Sequence, residues 1–129
     1  MLAAMVVTIN RNNFIYERDL SLTMTIVANN ENIIFIDSDN FSNNNSGSLI
    51  NESQTVIDDI IGWNNYDIGH TFSTGGGGLA ALNSPCTSSK ARGVTGSSNP
   101  VGDSYDVDYV AHELGHQFGA PHTFNGDGG

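Results

Sequence analysis

His112-Glu113-Leu114-Gly115-His116-Gln117-Phe118-Gly119-Ala120-Pro121-His122 holds three of the chain's four histidines in eleven residues. Positions four apart lie one turn apart on the same face of an α-helix, so His112 and His116 can turn two imidazole nitrogens toward one ion. That is the spacing of zinc ligands. Glu113 lies between them in sequence, placed to hydrogen-bond a water beside the metal without ligating it, which is the position of a general base. A third ligand six residues on cannot come from a continuing helix. The chain must break and return, and Gly119 followed by Pro121 allows the break and prevents the helix from resuming. His122 then comes within reach of the same ion.

A bare H-E-x-x-H arises by chance in roughly one chain of this length in a few hundred, and the added Gly and His reduce that about a thousandfold. A surface helix that merely happens to be His-rich is the weaker explanation.

The rest of the composition sets bounds. The chain has 129 residues, enough for one domain with a core, with 38% hydrophobic and 14% charged residues. Its 15 glycines and many Asn and Ser residues point to long polar loops. Fourteen acidic against four basic residues leave a formal charge of −10, which disfavours nucleic acid as a partner. No run is long enough for a membrane span, and Met1–Val7 lacks the basic leader of a signal peptide. Cys86 stands alone and cannot form an internal disulfide.

Upstream of the histidine motif, Leu2, Met5, Val6, Ile9 and then Asn13 or Phe14 have helical spacing, which predicts a helix from Leu2 to about Tyr16. Leu20 to Ala28 alternates and predicts a strand, and Ile33–Ile36 reads as its continuation or an edge piece. Asp37 to Ser48 is a polar loop whose acidic residues fail the EF-hand pattern at Phe41, Ser42 and Ser48. Asn51 and Gln54 suit a capping pair before a helix with Val56, Ile57, Ile60 and Ile61 on one stripe, ended by Gly62. Trp63 reads as core filler.

Ile68–Ser73 predicts a strand carrying His70, a histidine of the hydrogen-bonded structural kind. Gly75–Gly78 lacks the Lys-Ser/Thr of a phosphate loop and instead leads into an edge strand over Gly78–Leu82. Lys90–Thr95 is a further strand. Asp103 and Asp106 supply an acidic start to the zinc helix, with Val107, Val110, Ala111, Leu114 and Phe118 on its core face and Tyr105, Tyr109, His112 and His116 on another. The stretch from Thr123 to Gly129 shows no ordered element.

The string H-E-x-x-H-x-x-G-x-x-H resembles that of the metzincin zinc proteases, most closely the reprolysin or adamalysin-like branch and its secreted bacterial members. The resemblance implies an α/β fold, the metzincin (zincin-like) N-terminal subdomain. Its twisted mixed sheet and helices would precede a C-terminal zinc helix. It implies a zinc metalloendopeptidase in which His112, His116 and His122 bind Zn2+ and Glu113 activates the zinc-bound water. It also implies a polypeptide substrate paired along the edge strand near Gly78–Leu82, a secreted location, and a disulfide between Cys86 and a cysteine downstream of the motif.

The family carries Asp after the third histidine where this chain has Thr123, and a methionine turn downstream where Met1, Met5 and Met24 all lie upstream. With the strand that precedes the first helix also missing, the expectation is a partial catalytic domain, continued beyond both ends. Two other readings stand beside the protease. One is a non-catalytic zinc-binding or structural module, either a fragment or a degenerate metalloprotease, which would not need Glu113. The other is a thermolysin-like enzyme, opposed by Gly119 and His122.

Overall fold

The computed structural model describes residues 1–123. Helix α1 spans Leu2–Leu20 and helix α2 spans Ser46–Ile57, continued by a π turn over Asp58–Gly62. Strands β1 (Thr71–Ser73), β2 (Gly77–Ala80) and β3 (Gly93–Gly96) form a sheet in the order β1-β3-β2. β1 runs parallel to β3, with Thr71 opposite Val94, and β2 runs antiparallel to it, with Leu79 opposite Val94. Helix α3 begins at Asp103–Tyr105, passes through a π turn at Asp106–Val110, and continues as Ala111–Gln117. This is the mixed α/β arrangement expected, with β2, the strand packed against α3, placed at the sheet edge.

α1 is longer than its hydropathy suggests and buries a different face. Glu17, Arg18 and Asp19 remain helical, and the helix ends where Ser21 enters the left-handed region (φ 54°), with Leu22 N–H donating to Tyr16 O at 3.2 Å. Thr8, Asn12 and Tyr16 are its buried line, while Val6 and Phe14, expected inside, are exposed. The reason is polar. Thr8 Oγ1 donates to Asp106 Oδ1 at 2.7 Å, Arg11 Nη1 to Asp106 Oδ2 at 2.8 Å, and Asn12 Nδ2 to Asp106 O at 2.9 Å. Asp106 is therefore the anchor of α1 on α3 rather than a helix cap, and Gly102 occupies the N-cap position. Asp106→Ala leaves the Thr8 hydroxyl only its longer bond to Ala4 O and the Arg11 guanidinium only Asp103. We expect it to lower unfolding stability by about 1–3 kcal/mol, read as a fall in the urea midpoint at unchanged slope.

The π turn explains a second departure. It inserts an extra residue before Val110, so Tyr105 aligns with Val110 and Leu114 in the core, all three at most 4% exposed, instead of sharing a face with His112. α2 shows the same effect: Leu49, Ile50, Ser53, Ile57 and Ile61 are buried while Ile60 turns outward. Its cap is Asn45, whose side chain accepts from Ser48 N–H, so the helix starts before the Asn51–Gln54 pair. Gly62 ends the helical run at φ 92°.

Residues 21–27 alternate in exposure as a strand should, with Leu22, Met24 and Ile26 turned inward, but no strand pairs with them among the described residues. Asn13 on α1 stands in for a neighbour: its amide donates to Met24 O and accepts from Met24 N–H, both at 2.8 Å. Residues 30–33 form a 3-10 turn, and Ile33–Ile36, expected as a continuation or edge piece of the strand, contains no strand. Between the 21–27 segment and the outer edge of β1 runs an apolar cleft lined in part by Met5, Ile33, Ile57 and Phe72. Trp63, expected inside, is 47% exposed. Its ring lies 4.0 Å from the Nζ of the buried Lys90, which also donates to Trp63 O and Tyr66 O.

Candidate metal centre

α3 delivers the motif as one turn of regular helix followed by a break. Gly119 takes φ 99°, with Gly119 N–H donating to His116 O at 2.8 Å and Ala120 N–H to Gly115 O at 2.9 Å. A side chain at Gly119 would also strike Asn83, which packs on this turn from the loop after β2. The chain therefore doubles back and brings His122 over the helix. The Nε2 atoms of His112, His116 and His122 lie 3.0, 3.1 and 3.1 Å apart, a cluster that could hold one metal ion. One ion can touch all three nitrogens at the usual zinc–imidazole distance of about 2.0–2.1 Å.

The donor chemistry fits as well. His116 Nδ1 lies 2.6 Å from Ala120 O, a carbonyl that can only accept, so the ring proton sits on Nδ1 and the Nε2 lone pair faces the other two rings. Burial, helped by its two neighbours, holds the His112 pKa below the usual histidine range and favours its neutral, ligating form. Inward-facing lone pairs at such distances repel one another until a cation sits among them.

Glu113 lies beside the imidazole cluster, near enough for His116 to draw its pKa down against the larger effect of burial. It is 6% exposed and packs under the edge strand. A Cβ at Gly78 would lie 2.7 Å from Glu113 Cδ and 2.6 Å from the Tyr109 ring, so only glycine lets β2 pass this close to the carboxylate. Burial raises the Glu113 pKa, the direction expected of a base tuned toward neutral pH. Among the described residues β2 pairs only with β3, and its other edge faces away from the sheet.

The chain matches the metallopeptidase family M12B, reprolysin-like, over residues 2–123. It belongs to the reprolysin-like metallopeptidases. Neither a curated protein nor a solved structure gives a significant match. No described helix of this reprolysin-like chain is long and apolar enough to cross a membrane. Cys86 is exposed and has its backbone at φ 61°. Residues 124–129 of the tail, expected to lack ordered elements, lie outside the described residues.

Sequence reasoning passed over two residues. Gly78 is expected in the edge strand with no link to Glu113, although a glycine run leading into a strand beside a helix is also the signal of close backbone approach. Gln117 had no assigned role, yet it is fully buried. Its Nε2 donates to Gly69 O at 3.0 Å and Ser84 Oγ at 3.2 Å. Its Oε1 accepts from His70 Nδ1–H at 2.7 Å, and His70 Nε2 accepts from Thr95 Oγ1 at 2.8 Å.

Burial pushes the His70 pKa down to about 4. The unfolded chain then binds the proton at higher pH than the folded one, so this contribution to stability is present above the ordinary value of about 6.5 and is lost as pH falls toward 4. We expect a loss on the order of 2 kcal/mol over that window in metal-free protein. The part traceable to His70 should be absent from a His70→Asn variant measured by urea titration at pH 7 and pH 4.5.

Proposed function

We propose that this chain carries the catalytic centre of a zinc-dependent metalloendopeptidase. His112, His116 and His122 hold one zinc, and Glu113 accepts the proton of the water that attacks the scissile peptide carbonyl. The observation that supports this reading best is the pairing of three converging imidazoles with a buried carboxylate under an open strand edge. Zinc, when bound, supplies Lewis acidity toward the carbonyl oxygen and lowers the pKa of water. Glu113 holds the abstracted proton and is placed to return it to the leaving amine. The substrate is an extended polypeptide that adds to the free edge of β2 near Gly78–Leu82, with main-chain hydrogen bonds fixing its register.

A non-catalytic zinc module is the second reading. Such a site favours four closed protein ligands, and it has no use for a carboxylate seated beneath an edge strand that only glycine permits. The protein acts outside the cell, in keeping with its family. We further propose that the domain extends beyond these 129 residues, and that the cleft between residues 21–27 and the outer edge of β1 seats a further strand of it. The full-length protein should hydrolyse denatured casein, lose that activity to a chelator, and regain it with zinc. Activity that survives complete removal of zinc would exclude the proposal.

A further inference from the structure

The last turn of α3 is held by a buried polar network. Gln117 follows the ligand His116 directly and is fully buried, with its backbone carbonyl accepting from Ser84 N–H at 2.9 Å. Its side-chain amide reaches two further elements. Nε2 donates to the Gly69 carbonyl at the approach to β1 and to the Ser84 hydroxyl of the loop after β2. Because Nε2 is committed to these acceptors, Oε1 faces His70 and requires a donor there. His70 Nδ1–H fills that role at 2.7 Å, and its other nitrogen accepts from the Thr95 hydroxyl of β3. Both the amide orientation and the ring tautomer are thus fixed by their partners. The fit is tight: a Cβ at Gly93 would lie 2.6 Å from His70 Nδ1 and would overlap the Gln117 amide.

From these contacts we propose that His70 is a positioning residue for the histidine triad, acting through Gln117. The inference rests on reading that triad as the zinc site. His116 donates from Nδ1 to Ala120 O, so the turn after Gln117 orients one ligand directly and aims the return of the chain toward His122. Removing the His70 ring leaves Gln117 Oε1 as a buried acceptor without a donor. The amide then rotates or shifts to recover a partner, and the turn that carries two ligands moves with it. Ligand sets tolerate displacements of only about 0.5 Å before affinity suffers. An apolar residue at position 117 could fill the space but could not tie β1, β3 and the Ser84 loop to one point.

The test is titration of the metal-free full chain with Zn2+ and with Co2+, whose visible absorption reports ligand geometry. The proteins compared are wild type, His70→Ala, His70→Asn and Leu49→Ala. Asparagine at position 70 can place an amide N–H near the Nδ1–H position, and Leu49 is buried in a separate cluster with Ile50 and Val94. We expect His70→Ala to weaken zinc binding about tenfold or more, in the range of about 10–100-fold for groups that orient ligands, and to alter the cobalt spectrum. His70→Asn should restore affinity to within a few fold of wild type. Leu49→Ala should lower the melting temperature without changing zinc affinity.

If His70→Ala does not fold, Thr95→Val removes the hydroxyl from His70 Nε2 at little change in shape and should weaken zinc binding a few fold. The positioning role is overturned if wild type binds zinc but His70→Ala, or Thr95→Val in its place, binds it as well as Leu49→Ala does. It is equally overturned if asparagine gives no rescue. Failure of wild type itself to bind zinc would instead remove the zinc-site reading, and this inference with it.

Discussion

Glu113→Gln in the full-length protein is expected to lose about 10²–10⁴-fold in kcat while zinc content stays near one per chain. Glutamine keeps the shape and the seat under Gly78 but cannot take a proton. Its substitution therefore separates the base from the metal site. The expected pattern is a large fall in kcat with KM changed little, because the lost interaction belongs to the transition state and not to substrate binding. Gly78 supplies a linked expectation. With a Cβ there, the carboxylate and the Tyr109 ring must both give way. Gly78→Ala should then lower kcat in the same direction but less, since the base is displaced and not deleted. Zinc content by atomic absorption and kinetics on a fluorogenic peptide check both. Retained turnover in Glu113→Gln would refute the assigned role.

What made the candidate metal centre legible is that its geometry is local. A four-residue helical interval, a glycine at positive φ and a proline are enough to bring His112, His116 and His122 together, and none of these depends on distant parts of the chain. The edge position of β2 was legible in a weaker way, through the glycine run that leads into Leu79.

What the sequence hid depends on tertiary contacts. Thr8, Asn12 and Tyr16 form the buried line of α1 because they bind Asp106 and the backbone of α3, the Tyr16 hydroxyl donating to Ala111 O at 2.7 Å. Hydropathy ranks Val6 and Phe14 above them for burial, since it cannot know which partner lies opposite. The two π turns were hidden for a related reason: a 3.6-residue period carries no signal of one inserted residue, and the insertion moved Tyr105 into the core and Ile60 out of it. Residues 20–28 show the limit of strand reading. Alternation announced a half-buried extended segment and that is what residues 21–27 form, but alternation does not supply a pairing partner.

His116→Ala is expected to lose zinc affinity by more than about a hundredfold, since partners outside the ligand set already account for about 10–100-fold. His116 is the middle of the triad, with its Nε2 at 3.0 Å from that of His112 and 3.1 Å from that of His122. It also donates to Ala120 O, so its removal deletes one ligand and frees the turn that presents another. The effect should be plain in thermal unfolding. At a zinc concentration about a hundred times the wild-type Kd, bound metal stabilises the folded state by about 2.7 kcal/mol, whereas a hundredfold weaker variant gains only about 0.4 kcal/mol. The zinc-dependent rise in Tm should therefore nearly vanish in His116→Ala.

A second readout is independent of metal. The His116 charge is one of the causes that hold the His112 pKa below its ordinary value, after burial, so His112 should titrate higher in metal-free His116→Ala than in metal-free wild type. By linkage, a depressed folded pKa gives stability that is present at neutral pH and lost as pH falls through the ordinary histidine range. The variant should lose less of it on acidification. NMR titration of the His112 ring checks the point: an unchanged pKa would mean that burial, and not His116, holds it down.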